Sequence, residues 1–292
     1  MKVWICAIAK MEELYIREWI EWHKQLGIDH IVIGDNNDSD YDKPLQPIIQ
    51  DYIDEGFVEI INLNNQLGIQ QSTYIKVYQE RKNEFDWIGF IDIDEFVELP
   101  AYNNDIHLFL SDNKFKDTDS IILPWLNYGD NEQLYYEDKP VKERFTKSIN
   151  QEDACIKYFI KSFDNTMEKI SIHNPLNNVF NNKLINTCDS LGNYNIDYKE
   201  VDNCITNIYT NIDYYNNAYI AHYITKSTEE YIKYKILRGR ETRSIGNYKL
   251  RYTIDFYYWI NQKNKEKDKL FEIYKQKIIN AEQDQLKKYK MI

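Results

Sequence analysis

Apolar and polar positions in the first hundred residues follow two alternating periods. Lys2 to Ala9 is an apolar strand, and Tyr15, Trp19, Trp22, His23 and Leu26 then recur at helical spacing before Gly27 as a C-terminal stop. His30 to Gly34 is a second strand, followed by the polar loop Asp35-Asn-Asn-Asp-Ser-Asp40. Pro44 opens a helix with Leu45, Ile48, Ile49, Tyr52 and Ile53 on one face, and Gly56 closes it. Phe57 to Ile61 is the third strand. A helix from near Ile69 through Tyr74, Val77 and Tyr78 to about Glu84 leads into the stretch Asp86–Phe96. The order β-α-β-α-β-α-β predicts right-handed crossovers and a parallel, doubly wound sheet.

Beyond residue 97 the rhythm changes. Ser120–Trp125 and Ile156–Ser162 read as further strands, with the loop Asn127–Glu132 and the segment Lys142-Glu-Arg-Phe-Thr146 between them. Residues 177–217, rich in Asn, Tyr and Asp, read as variable loop with short strands. Tyr219 to Tyr231 predicts a short strand feeding a helix capped by Ser227, with Glu230 at the capping-box position. In Lys263–Ile292, Leu270, Ile273, Tyr274, Lys277, Ile278 and Ala281 recur at helical spacing among nine lysines. That amphipathic helix packs on the body of the chain; an interfacial helix is the sharper alternative.

The Asp86–Phe96 stretch is an apolar run ending in three carboxylates within four residues. Trp87, Ile88, Phe90 and Ile91 suit a strand buried on both faces, which sets Asp92, Asp94 and Glu95 at its carboxyl end, where open α/β sheets bind ligands. On a strand Asp92 and Asp94 share a face. Two hard oxygen ligands there suit Mg²⁺ or Mn²⁺, which keep several waters and bind substrate phosphates beside one or two carboxylates. The blander reading is a solvated acidic turn, and a bare Asp-x-Asp alone favours it.

Composition narrows the classes. The chain of 292 residues can hold one elaborated α/β domain with a helical appendage. An aromatic fraction of 15 %, with 25 Tyr and 6 Trp, exceeds what a core needs; it suits a sugar site and equally a biased genome. Residues 226–292 carry 17 Lys and Arg against 9 Asp and Glu, so of the net charge of −11 the first 225 residues hold −19. Such an acidic body excludes nucleic acid as a partner, while the basic tail can meet a diphosphate or an anionic membrane surface. Cys6, Cys155, Cys188 and Cys204 lack zinc spacing and no signal peptide precedes them, which predicts reduced thiols in a cytoplasmic protein. No run of about 18 apolar residues occurs, so the expected membrane contact is peripheral. Neither Gly-x-Gly-x-x-Gly after the first strand nor a Walker lysine loop is present, which removes the main support for dinucleotide oxidoreductases and P-loop NTPases.

Trp87-Ile-Gly-Phe-Ile-Asp-Ile-Asp-Glu-Phe96 resembles the Asp-x-Asp segment of nucleotide-sugar glycosyltransferases with the GT-A fold, especially the family-92-like and related family-2-like enzymes of bacterial surface-glycan synthesis. Cys6–Glu13, Glu18–His23 and Gly34–Asp40 look like that family's first strand, first helix and second-strand loop. His222-Tyr-Ile-Thr-Lys-Ser-Thr-Glu-Glu-Tyr231 is similar to its His-Tyr-x-x-Lys-Ser-x-Glu-Glu-Phe segment. The likeness covers roughly residues 1–160 and 219–240. It implies an α/β fold of GT-A type, a Rossmann-like, mostly parallel sheet flanked by helices, with a catalytic domain over 1–240 and a helical extension over 241–292.

The resemblance also implies roles. Asp35, Ala7 and Ala9 would hold the nucleoside, an Asx-turn being the rival reading for Asp35. Gln70 or Gln71 would reach the nucleotide, and Lys157 and Lys226 the diphosphate. Asp94 and His222 would ligate Mn²⁺ or Mg²⁺, with Asp92 bound to the ion through water or holding the ribose. Asp130, or else Glu132, would be the base of an inverting transfer; here Gly-Asp-Asn-Glu replaces the family's frequent Gly-Ser-Ser-Gly, which leaves acceptor and base open. His23, His30 and His107 read as structural. The implied donor is a UDP-sugar, and the acceptor a glycan or lipid-linked oligosaccharide of surface polysaccharide synthesis. Two rivals stand beside it. A haloacid-dehalogenase-type phosphatase also uses Asp-x-Asp, but normally after the first strand and continued by Thr; a subunit that binds glycan or nucleotide-sugar without turnover is the other.

Overall fold

The computed structural model describes residues 1–149, 155–175, 178–194, 199–201, 204–206, 212–239 and 252–290. The chain forms two compact units, one of residues 1–65, 69–126 and 151–222, the other of 66–68, 127–150 and 223–292. The expected boundary between 240 and 241 lies outside the described residues.

The first unit opens with the expected alternation: β1 (Val3–Ala9), α1 (Ile16–Gln25), β2 (His30–Asp35), α2 (Leu45–Ile48), α3 (Gln50–Asp54), β3 (Val58–Asn62), α4 (Gln70–Arg81) and β4 (Trp87–Phe90). Gly27 ends α1 at φ +92°, a conformation that costs a residue without Cβ little. The single helix expected after Pro44 is broken at Ile49, whose φ of −123° is not helical, two residues after Pro47, which supplies no N–H.

Three more strands follow: β5 (Glu95–Glu98), β6 (Ser120–Asn127) and β7 (Ile156–Lys161). The sheet runs β3-β2-β1-β4-β7-β6, then the strand Tyr219–His222, then β5, with Thr187–Asp189 added beside β6. β1 to β4 are parallel neighbours, but β7 is antiparallel to both β4 and β6, and Tyr219–His222 is antiparallel to β5. The architecture is therefore an α/β fold with a large mixed sheet. Parallel order holds where helices cross over between β1 and β4, and Thr187–Asp189 also runs parallel to β6.

The expected strand Asp86–Phe96 is in fact two strands joined by a turn. Glu95 N–H donates to the Asp92 carbonyl at 3.0 Å, and Asp92 N–H donates to the Glu95 carboxylate at 3.0 Å. This reciprocal closure ends β4 at Phe90, so Asp92 and Asp94 lie in a turn and do not share a strand face. Gly89 lies opposite Phe159 in the β4–β7 register, and a Cβ there would meet its ring at 2.7 Å.

Around the sheet, Tyr74 of α4 stacks on Phe90 with centroids 4.7 Å apart, within a core that includes Trp4, Cys6, Tyr78, Ile88 and Tyr158. α1 secures β5: the Trp19 and Trp22 indoles donate to the carbonyls of Glu95 and Val97, both at 2.8 Å. His23 accepts from Val97 N–H at Nε2 and meets the Trp19 carbonyl through Nδ1 at 2.8 Å, a buried structural histidine.

The second unit is helical, with Thr228–Tyr231 continuing into a π-helical turn, Ile232–Leu237, then Ile254–Ile260 and Lys265–Lys290. Ser227 caps the first of these with the capping box expected from sequence. Leu270, Phe271 and Ile278 of the last helix pack with Tyr231, Ile236 and Tyr257. Arg144 makes a bidentate pair with Glu230, both bonds 2.8 Å, and both side chains are 1 % exposed. Among the described residues no helix is long and apolar enough to cross a membrane.

Candidate functional site

The Asp92–Glu95 turn leaves the carboxyl end of β4 beside β7, and β7 carries one lysine in an otherwise apolar run, Ile156-Lys-Tyr-Phe-Ile160. Lys157 is fully buried and reaches Asp92 Oδ2 at 2.8 Å and Glu95 Oε2 at 3.3 Å. Gln70, at the start of α4, donates to Asp92 Oδ1 and to the Tyr74 hydroxyl, each at 3.1 Å. Asp92 thus has both oxygens occupied. Burial pushes the Lys157 ammonium down, but Asp92 and Glu95 outweigh it and the group ends above the ordinary lysine value. Burial pushes Glu95 well above the ordinary carboxylate range, against the pull of Lys157. Lys157 thus faces Asp92 and Glu95 as their shared counter-charge, while burial opposes the ionised form of Glu95.

Asp94 has a different partner. The antiparallel pairing of Tyr219–His222 with β5 sets His222 opposite Glu95, one residue from Asp94. His222 Nε2 lies 3.7 Å from Asp94 Oδ2, with side-chain exposures of 5 % and 9 %. A gap of 128 residues is closed by one strand pair. Trp125 covers the imidazole, its ring centroid 4.1 Å away, and meets His173 edge-on at 5.2 Å.

An imidazole and a carboxylate oxygen are a competent donor set for Mg²⁺ or Mn²⁺. Among the described residues no group of three or more His, Cys, Asp and Glu could hold an ion. A two-residue protein contribution still fits these ions, which complete their shells with water and phosphate oxygens. Asp92 is not at that pair here, being held by Lys157 and Gln70.

At the neighbouring strand ends, Ala9 pairs with Asp35 in the β1–β2 register, and Ala7 and Ala9 are buried. Asp35 Oδ1 accepts from Asn37 N–H at 3.1 Å, the Asx-turn geometry, and burial raises its carboxyl against that bond. Gln71 is exposed on α4. These residues, with Gln70, Asp92, Asp94, Lys157 and His222, all belong to the first unit.

Lys226, Asp130 and Glu132 belong to the second. Lys226 is buried with a left-handed backbone, φ +54°. Asp130 is 4 % exposed: Lys267 Nζ lies 2.5 Å from Oδ2, the Tyr257 hydroxyl donates to the same oxygen, and Glu132 N–H donates to Oδ1 at 2.8 Å. Asp130, one of the two carboxylates expected as base, is thus buried against Lys267 and Tyr257. The exposed residue of the loop is Glu132, held at φ +64° after Asn131 at +47°.

Sequence reasoning missed the Lys157–Asp92 pair, the Arg144–Glu230 pair and the Lys267–Asp130 pair. A lone lysine inside an apolar strand was the available signal for the first; the other two carry none, since each partner reads alone as a surface charge.

A family model described as glycosyltransferase family 92 matches residues 5–253. A family 92 protein of Ricinus communis is 28% identical over 97 residues, 33% of this chain and 17% of that protein. One of Arabidopsis thaliana is 27% identical over 100 residues, 34% and 17% of the two chains. The matched stretch spans about a sixth of the length of these curated relatives. Among solved structures, the chain is similar in part to TarS of S. aureus, at TM-score 0.34 and 18% identity over 44% of this chain and 22% of that one. Another partial likeness is GalNAc-T7 with UDP, GalNAc and Mn²⁺, at TM-score 0.31 and 13% identity over 56% and 35%.

Proposed function

The chain belongs to glycosyltransferase family 92, and from that premise we propose that it moves a sugar from a nucleotide-sugar, a UDP-sugar, to a glycan or lipid-linked acceptor with the help of a divalent ion. The observation that carries this reading is the meeting of His222 with Asp94, two groups able to ligate a metal that stand 3.7 Å apart within the first unit although distant in sequence. They would hold Mn²⁺ or Mg²⁺, whose charge, when the ion is bound, stabilises the departing diphosphate.

The chain's own groups do the rest. Lys157 and Gln70 hold Asp92 in one orientation, which suits a contact with the ribose. Asp35 and the backbone at Ala7 and Ala9 meet the nucleoside, and Lys226 the diphosphate. Inversion by a single displacement needs a carboxylate that takes the acceptor hydroxyl proton from the far side of the sugar. Of the two candidates Glu132 is exposed and Asp130 buried, which supports Glu132 for that task. The setting is surface polysaccharide synthesis at the cytoplasmic face of a membrane, with peripheral contact. A phosphatase reading has no nucleophilic aspartate after β1 to rest on, where Lys10 and Met11 follow Ala9.

The test is transfer and donor hydrolysis from UDP-sugars with and without Mn²⁺. Asp94→Ala should abolish the Mn²⁺-dependent rate while the protein keeps its circular dichroism spectrum. Full turnover in folded Asp94→Ala protein would remove the metal from the reading.

A further inference from the structure

Lys157 is the charged residue of the buried stretch Ile156–Ile160, and its ammonium lies 2.8 Å from Asp92 Oδ2 and 3.3 Å from Glu95 Oε2. The Asp92 side chain is 31 % exposed and that of Lys157 is 0 % exposed, so solvent reaches the carboxylate and not the ammonium. The turn closes without this lysine. Its reciprocal bonds run between Asp92 and Glu95 alone, and Glu95 Oε1 meets no hydrogen-bond partner among the described residues. Stability does not account for the pair either, since desolvation offsets the attraction between buried charges. What Lys157 supplies is a positive charge. It neutralises a carboxylate two residues from Asp94, inside a turn of the kind whose first and last Cα atoms lie within about 7 Å.

That charge bears on the Asp94–His222 pair. Two protein ligands leave most of the shell of Mn²⁺ or Mg²⁺ to water and phosphate oxygens, whereas a further ionised carboxylate in the same turn favours the ion by itself. Gln70 holds the second oxygen of Asp92 at 3.1 Å, so in this state neither oxygen is open to a cation. We propose that Lys157 is the resident counter-cation of the turn: by neutralising Asp92 it keeps a divalent ion from settling at Asp94 and His222 until a diphosphate supplies further oxygens. The assignment rests on the metal reading above. Its consequence is that metal and nucleotide load together, and that Asp92 stays free of the ion to meet the donor.

The test uses Mn²⁺ alone, titrated into the protein without nucleotide while electron paramagnetic resonance reads the free aqueous ion. Wild type should take up Mn²⁺ weakly, although Mn²⁺ tightens its binding of UDP in calorimetry. Lys157→Met should bind nucleotide-free Mn²⁺ about tenfold or more tightly than wild type, because one positive charge has left the turn. Asp92→Asn added to Lys157→Met should reverse the gain. Equal Mn²⁺ affinity in wild type and Lys157→Met, with Mn²⁺ still tightening UDP, overturns the inference and leaves the metal reading intact. A gain that survives Asp92→Asn overturns the part given to Asp92. No Mn²⁺ uptake by either protein and no effect of Mn²⁺ on UDP overturns the metal reading and this inference with it. Should Lys157→Met fail to fold, Lys157→Met/Glu95→Gln compared with Glu95→Gln makes the same change of charge. Glutamine keeps an oxygen for the Asp92 N–H, and the expected gain and the overturning result are the same.

Discussion

Replacing Arg144 by methionine strands a carboxylate in the second unit. Glu230 and Arg144 are joined by two 2.8 Å bonds at 1 % exposure, so neither charge is shared with water. Removing one partner of such a pair costs about 3–5 kcal/mol. Ser227 still donates to Glu230 through its N–H at 3.2 Å and through its hydroxyl, which puts the expected loss near the lower end, about 3 kcal/mol. Arg144→Met/Glu230→Leu removes both charges and should recover all but about 1–2 kcal/mol, the residue being the lost capping box. The pH dependence carries a sign. Burial raises the Glu230 carboxyl, but the hydrogen bonds and charge of Arg144 outweigh it, and the group ends below the ordinary glutamate value. A lowered folded pKa gives stability that is present above the unfolded value of about 4.3 and lost as pH falls through the folded one. In Arg144→Met only the Ser227 bonds and the charge of Lys226 still oppose burial, so that variant gains relative to wild type as pH falls. Urea denaturation followed by circular dichroism at pH 7 and pH 4.5 should show the gap between the two proteins shrinking. A gap that is equal at both pH values, or below about 1 kcal/mol at pH 7, refutes the reasoning.

Other predictions follow the same logic. His222→Ala should weaken Mn²⁺-dependent binding of UDP, read by calorimetry, while metal-free binding stays level; equal Mn²⁺ dependence would return His222 to a structural role. Glu132→Gln should lower kcat by about two or more orders of magnitude with donor affinity kept, and an unchanged kcat moves the base elsewhere. Asp130→Asn should act on stability, because Lys267 is left buried without its counter-charge, and Lys267→Met added to it should restore the melting temperature; loss of kcat without loss of stability would reinstate Asp130 as base. Lys157→Met should disorder the Asp92 contact and raise KM for the donor more than it lowers kcat, which steady-state kinetics separate.

The periodic part of the fold was legible from residue order. Strands and helices through β4, the glycine stop after α1 and the Ser227–Glu230 capping box each depend on neighbours within a few residues, and local sterics and hydrogen bonding specify them. The acidic cluster was legible as a cluster for the same reason. Its geometry was not: an Asp-x-Asp reads as one strand face, and only the contest between extension and the Asp92–Glu95 closure decides for a turn.

What tertiary structure alone decided is which charge meets which. Lys157 and Asp92 are 65 residues apart, His222 and Asp94 128, Arg144 and Glu230 86, and Lys267 and Asp130 137. Nothing local relates such partners, because a lone ionic side chain is stable in water wherever it stands. Only burial makes an unpaired charge costly, and burial is a property of the packed sheet and helices. The chain by itself therefore determined that carboxylates, lysines and a histidine were present, while packing decided that Asp94 faces His222, that Asp92 faces Lys157, and that Asp130 faces Lys267.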